Sequence, residues 1–273
     1  MKIVYIIPFF KRLDLTEICF SQIKQHNRPV YVAGSEGEQS RIIAEKNGMI
    51  YLECANYPVS NKHNKLISML KGVDYNYAII LGSDNFVSSN FTEKIEQVLE
   101  ENKPDFLQLR GLYFYNQKTK KTTYFSGFTG VGRCYSRKAL EALNYKLWDS
   151  GLNKGLDRSS FRRLISKGFE LFEVDMRKLG VEVVDVKYAE NITNHIVTLK
   201  GKPVNKLSID FSEIDKLTGY NNKKIHSRSY LNTRPKVKTV DVSTGRVKKL
   251  NISVANALIK KKTYKKLDES DRQ

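Results

Sequence analysis

Cysteine, histidine, proline and tryptophan are all scarce in this chain of 273 residues: three Cys, four His, six Pro and a single Trp. Cys19, Cys54 and Cys134 are odd in number, widely spaced and form no C-x-x-C pair. That pattern argues against a disulfide frame and against a zinc site, and for reduced thiols in an intracellular setting. No apolar run reaches the roughly 20 residues that span a bilayer, so any membrane association is expected to be peripheral. The apolar opening, residues 1–10, is followed by Lys11-Arg12 with no small-residue cleavage site, and reads as a buried first strand rather than a signal peptide.

Acidic residues are also few. Against 47 Lys and Arg stand 29 Asp and Glu, a formal charge of +18. This exceeds what solubility requires and points to a polyanionic partner, either nucleic acid or an anionic membrane surface. The surplus is uneven: residues 221–273 hold 15 basic residues and four acidic ones, well over half of the excess.

What is present is a regular β/α alternation over the first 90 residues. Residues 3–7 form an apolar strand closed by Pro8. A helix follows with Asp14 as its N-cap, then strand 30–33, helix 40–47, strand 49–53, helix 61–71 and the apolar strand 78–81. Short links between these elements imply parallel strands. Strand 78–81 runs straight into Gly82-Ser83-Asp84-Asn85. A carboxylate and a carboxamide just beyond a buried strand lie where open α/β sheets bind ligands. Hard oxygen donors of this kind suit Mg²⁺ or Mn²⁺ carrying a diphosphate. The same four residue types also make ordinary turns.

Beyond residue 90 come helix 93–101, strands 106–115 and 122–128, glycines at 127, 130 and 132, and a short helix 136–143. A polar loop around Trp148 then leads to Asp157 at the start of helix 158–167, followed by strands 170–174 and 181–186.

In this order the features resemble those of GT-A nucleotide-sugar glycosyltransferases, closest in layout to the family-2-like group, small members of which are often phage-encoded. The resemblance covers roughly residues 1–200. It implies an α/β, Rossmann-like GT-A fold, with a mixed central sheet and helices on both faces, over residues 1–205, and leaves 206–273 as a basic C-terminal extension.

By the same resemblance Pro8, Phe9 and Arg12, with Gly34, Ser35 and Glu36, would hold the nucleotide base and ribose. Lys62, Asn64 and Lys65 form a polar, basic helix start near the donor, and Ser83-Asp84-Asn85 stands where the family has its D-x-D metal motif. Here neither Gly82 nor Phe86 supplies the second carboxylate. His195, Lys200 and Lys202 resemble a His…Gly-x-x-Lys-Pro segment that adds a third metal ligand and a lysine to the diphosphate in some GT-A enzymes. Gly130 would line the sugar pocket, Trp148 would stack on sugar or base, and Asp157 would be the general base. The implied cofactors are Mn²⁺ or Mg²⁺ with a nucleotide-sugar donor, UDP-linked in preference. An Asp157 base implies inversion, whereas the His195 segment resembles retaining families.

The extension mixes Lys and Arg with Tyr220, Tyr230 and Tyr264, carries a hairpin signal at Thr244-Gly245 and a cationic helical pattern over 253–266. The last fifth of the chain, residues 221–273, has neither Trp nor Phe to bury among lipid headgroups. This favours duplex DNA as partner, with Lys248 and Lys249 on the acceptor side. The expected activity is then transfer of a sugar to a hydroxymethylated or otherwise modified base in phage DNA, in the cytoplasm of the host. Three alternatives stand beside it: a lipid-linked or cell-surface glycan acceptor at a membrane, a catalytically inactive nucleic-acid-binding GT-A module, and a nucleotidyltransferase.

Overall fold

The computed structural model describes residues 1–188, 202–204 and 207–217, together with the backbone of three strands between 236 and 266. The chain divides into two compact units, Met1–Tyr220 and Asn221–Gln273.

In the first unit, β1 (Ile3–Pro8), α1 (Leu13–Lys24), β2 (Val30–Gly34), α2 (Glu38–Lys46), β3 (Ile50–Glu53), α3 (Val59–Ser68) and β4 (Tyr77–Ile80) alternate as expected. β1 lies between β2 and β4, parallel to both, with Tyr5 opposite Val30 on one side and Ile79 on the other. β3 extends the parallel set along β2. Successive residues of β1 point to opposite faces, and both faces are covered. Ile3, Tyr5 and Ile7 join a core with Leu15, Phe20 and Ile23 of α1, while Val4 and Ile6 join a second core with Leu66 and Ile67 of α3. Burial on both sides is why this strand reads as a continuous apolar run.

After β4 the pattern becomes mixed. β5 (Asn85–Val87) precedes α4 (Phe91–Asn102), then β6 (Phe106–Asn116), β7 (Lys121–Phe128), β8 (Arg133–Ser136), α5 (Arg137–Ala142), α6 (Leu156–Ile165), β9 (Leu171–Asp175), α7 (Met176–Leu179), β10 (Val183–Lys187), β11 (Lys202–Val204) and α8 (Ser212–Lys216). The sheet has eleven strands, ordered β3-β2-β1-β4-β8-β6-β7-β11, with β9 and β10 also pairing along β6 and β5 along β10. α4 packs with α1 on one face, and α5 and α6 with α3 on the other. The mixed Rossmann-like sheet with helices on both faces, expected of a GT-A fold, is therefore the observed class.

β6 changes partners at a bulge between Arg110 and Leu112. Gly111 sits there at φ 105°, and a Cβ would fall 2.4 Å from the Tyr124 hydroxyl, so only glycine fits.

Three boundaries differ from expectation. α1 begins one residue before Asp14, which is not its cap: Arg12 takes that position in the left-handed region, and Asp14 accepts bonds from the Leu15 amide and the Tyr188 hydroxyl. α6 begins at Leu156 with Gly155 as its cap residue, which leaves the Asp157 side chain free of a capping role. Residues 207–217 belong to the first unit: Phe211 stacks on Tyr115 with ring centroids 3.9 Å apart, and Ile214 is buried in the core.

In the second unit β12 (Lys236–Asp241) pairs antiparallel with β13 (Val247–Asn251) and β14 (Tyr264–Lys266). The expected hairpin is β12 and β13. The expected cationic helix is corrected at its end, because Tyr264–Lys266 pairs along the second edge of β12 and fills backbone hydrogen bonds there. Among the described residues no helix is long and apolar enough to cross a membrane.

Candidate active site

The C-terminal ends of β1, β2 and β4 converge at the crevice where the chain order turns from β2 on one side of β1 to β4 on the other, the position at which doubly wound sheets take their ligands. Asp84 stands there, two residues into the turn that Gly82 opens. The Gly82 amide donates to Asn85 Oδ1 at 2.5 Å, and Asn85 Nδ2 lies 3.4 Å from Asp84 Oδ1. Asn85 thus shapes the turn that presents Asp84. Ser83 and Asn85 are buried, and Cys19 Sγ lies 3.3 Å beneath the Asn85 carbonyl.

Arg12 reaches across from the β1 loop and donates through Nη1 to Asp84 Oδ2 at 3.0 Å, with side chains 14% and 19% exposed. A second carboxylate, which sequence reading did not single out, is Asp185 of β10. It registers opposite Asn85, and the Val186 amide donates to the Asp84 carbonyl at 2.8 Å, which fastens β10 to the turn. Burial, and then the negative charge of Asp84, push the Asp185 carboxyl well above the usual carboxylate range, and Lys187 Nζ at 2.8 Å counters them. The available signal was an acid interrupting the β-branched run 183–186, since a charge inside a buried strand needs a reason. The result is a partly buried quartet of two carboxylates and two cations.

The nucleotide loops are joined to one another. The Lys11 amide donates to Glu36 Oε1 at 2.8 Å, and Glu36 also accepts from the Ser40 hydroxyl at 2.7 Å and the Ser35 amide at 3.3 Å. Phe9 is 2% exposed and edge-on to Phe20, so its ring belongs to the core and offers no face to a base. Gly34 is small because Phe9 and Ser40 crowd it, a Cβ there lying 2.5 Å from Ser40 Cβ. Pro8 ends β1 beside them.

Three further expectations, for Trp148, Asn64 and Lys62, are corrected by packing. Trp148 is 4% exposed, edge-on to His63 at 4.9 Å, with its backbone N–H and C=O both bonded to the Asn64 amide at 3.1 and 2.8 Å. It is a core residue that Asn64 anchors, so neither is placed to touch an acceptor or a donor. Burial pushes His63 down to about 4, so that ring is neutral. Lys62, expected on the diphosphate, is 2% exposed beneath the loops, whereas Lys65 is exposed.

Asp157 and Gly130 do come together. The Gly132 amide donates to the Ile80 carbonyl at 2.9 Å, which holds the 130–132 loop at the end of β4. Arg133 Nη1 donates to the Asp157 carbonyl at 2.9 Å and to Ser160 Oγ at 2.9 Å, which ties the start of α6 to the same loop. The Asp157 side chain is exposed and lies so close over Gly130 that a Cβ there would be 1.9 Å from its Oδ1. A Gly130→Ala variant should therefore fold, because an exposed carboxylate can swing away, but with Asp157 displaced. We expect kcat to fall by roughly 10- to 100-fold on an ångström-scale misplacement, with an unaltered melting temperature; a kcat like the parent's would separate Asp157 from the chemistry.

His195 and Lys200 lie outside the described residues. Of Lys202, Lys248 and Lys249 the backbone is described, in β11 and β13. Among the described residues no three His, Cys, Asp or Glu side chains converge as a metal-binding group.

No protein-family model and no curated protein matches the chain. Among solved structures, a CMP:2-keto-3-deoxy-manno-octonic acid synthetase complexed with CTP is 14% identical, with a TM-score of 0.43, over 64% of this chain and 90% of the synthetase. S. aureus TarS 1–349 is 12% identical, with a TM-score of 0.44, over 68% of this chain and 58% of that one. TarS 1–349 in complex with UDP-GlcNAc is 12% identical, with a TM-score of 0.45, over 70% and 60%. The chain thus spans about three fifths of the TarS structures.

Proposed function

We propose that this chain is a nucleotide-sugar-dependent glycosyltransferase that passes a sugar from a nucleoside diphosphate, UDP in preference, to a hydroxyl acceptor. The observations that carry this reading are the Asp84 and Asp185 quartet at the switch-point crevice and an exposed carboxylate, Asp157, seated on Gly130 of the loop that the Gly132 amide holds to the end of β4. Group transfer from a nucleotide sugar needs a charge-stabilised leaving diphosphate and a base for the acceptor proton. The two ends of the crevice offer these.

The donor chemistry fits Mn²⁺ or Mg²⁺. Asp84 and Asp185 are hard oxygen donors side by side, and such ions are commonly held by one or two carboxylates with substrate phosphate and water completing the shell. The ion, when bound, would neutralise charge on the departing diphosphate. Arg12, which faces Asp84, is placed to move from that carboxylate to a phosphate oxygen. Asp157 takes the acceptor proton as the acceptor oxygen attacks the anomeric carbon, which makes the reaction inverting.

For the acceptor we favour a hydroxymethylated or otherwise modified base in duplex DNA, as in phage genomes. The support is the basic extension, in which Lys238 stands directly opposite Lys249 and Thr239 opposite both Lys248 and Lys266. A run of basic residues of this density is what a polyanionic partner neutralises. Reversing Lys248→Glu and Lys249→Glu in the full chain should weaken DNA binding and lower the slope of log affinity against log salt by about 2. An unchanged slope in a filter-binding or anisotropy titration removes the extension from the DNA contact.

The direct test is nucleoside diphosphate release from a panel of UDP- and GDP-sugars with Mn²⁺, with and without duplex DNA containing 5-hydroxymethylated pyrimidines. DNA-dependent release, with one sugar added to the base by mass, supports both donor and acceptor. Release indifferent to DNA keeps the transferase and moves the acceptor to a glycan. Absence of release with every donor overturns the enzyme reading.

A further inference from the structure

Lys62 is a lysine in an unusual place. It projects from α3 with 2% exposure, and its ammonium donates to three acceptors: the Phe9 carbonyl, Ser35 Oγ at 2.7 Å and Asn56 Oδ1 at 3.3 Å. These stand on the three consecutive connections that follow β1, β2 and β3. An ammonium has three protons to give, and here each goes to a different loop. The Phe9 and Phe10 rings flank it, with Nζ 5.9 Å from each centroid.

Among the described residues no carboxylate is bonded to it. Burial draws the ammonium down to about 8, and the negative charge of Glu36 opposes this. A desolvated cation on neutral acceptors is costly, and an apolar side chain of the same length would serve the core at least as well. What the cation uniquely does is hold the Phe9 and Ser35 loops at a set separation, reinforced at the surface by the Lys11 amide on Glu36.

We propose that Lys62 is a positioning residue that sets the width of the nucleotide cleft, acting on the donor through the β1 and β2 loops and not by touching the diphosphate. This rests on the nucleotide-sugar reading of the same crevice. It makes donor affinity, and not turnover, the quantity Lys62 controls.

The test is Lys62→Met, which keeps the stem and removes all three donors. Donor KM and kcat are measured together with nucleoside diphosphate affinity by calorimetry. Donor KM and the dissociation constant should both rise roughly tenfold or more, about 1.4 kcal/mol per factor of ten, while kcat at saturating donor stays within about threefold. A fall in kcat with KM unchanged would mean that Lys62 acts on the leaving group, and unaltered KM and kcat in a folded variant would mean that it positions nothing. Either result overturns the proposal.

Should the variant not fold, Asn56→Ala and Ser35→Ala each remove one acceptor and are read the same way, with a smaller rise of roughly threefold expected in donor KM. In a folded Lys62→Met background neither should add to the effect, because the partner they lost is already gone. Additive losses would overturn the clamp. If the parent protein binds no nucleoside diphosphate, the nucleotide-sugar reading itself fails; if the parent binds and the variants bind equally well, the clamp alone fails.

Discussion

Asp84→Ala should reduce sugar transfer by about a thousandfold or more, some 4 kcal/mol of lost transition-state stabilisation. The side chain is the less buried of the site's paired carboxylates: it faces Arg12 at 3.0 Å on one side and bears electrostatically on Asp185 on the other. Its removal does two opposed things to the fold. Arg12, 14% exposed, loses its bond to the Asp84 carboxylate, which costs about 1 kcal/mol. Asp185 meanwhile loses a like charge and ionises more easily, which offsets part of that cost. The variant should therefore stay folded while turnover collapses, and a thermal melt run beside the transfer assay separates the two effects. Asp84→Asn is the finer probe, since it keeps the turn and removes only the charge. Its activity should also fall by at least a hundredfold if the carboxylate stabilises a cation or metal at the diphosphate. Turnover like the parent's in either variant would end the assignment of Asp84 to the leaving-group end.

That Asp84 would stand just past the end of a buried strand was visible in the sequence, because an apolar run of strand length ending on Gly-Ser-Asp-Asn is a local signal. The same holds for most of the sheet. β1, β2 and β4 are read from short apolar runs, and α1 from Leu15, Cys19 and Ile23 on one face. What escaped was set by contacts distant in sequence. β5 and β8 have three and four residues, too few for a period to show, and both exist because a neighbouring strand supplies their hydrogen bonds. Asp185 becomes a site residue only when β10 docks antiparallel on β5, nearly 100 positions upstream.

Burial misled in the other direction for Lys62 and Trp148. A lysine in a charged helix start and a lone Trp in a polar loop both look surface-seeking. Yet α3 turns Lys62 under the β1 and β2 loops, and Asn64 draws the Trp148 backbone into the second core. Polarity by residue type says where a side chain prefers to be. Which face of the helix points inward decides where it is.

Asp157→Asn should lower kcat by about 10²- to 10⁴-fold, the usual worth of a general base, and leave donor KM nearly unchanged. The prediction follows from what the carboxylate does not do. It caps no helix, since Gly155 holds that position, and it accepts no hydrogen bond from the described residues. Its backbone carbonyl is the part used structurally, by Arg133 and Ser160. Asparagine keeps that carbonyl, keeps the close approach to Gly130, and removes only the ability to take a proton. A structural Asp157 would thus give a variant with parental kcat, whereas a base gives one that still binds donor and does not turn it over.

The Gly130→Ala variant adds a second axis, because it retains the carboxylate and displaces it. If both variants lose kcat and the double variant is no worse than Asp157→Asn alone, position and charge are one function and the exposed carboxylate on the 130–132 loop is the base. If Gly130→Ala loses kcat in an Asp157→Asn background as well, the loop itself lines the sugar pocket, and the proton leaves to some other group. Variants at Gly130 and Asp157, 46 and 73 positions beyond Asp84 in sequence, would in that way report on the same chemistry.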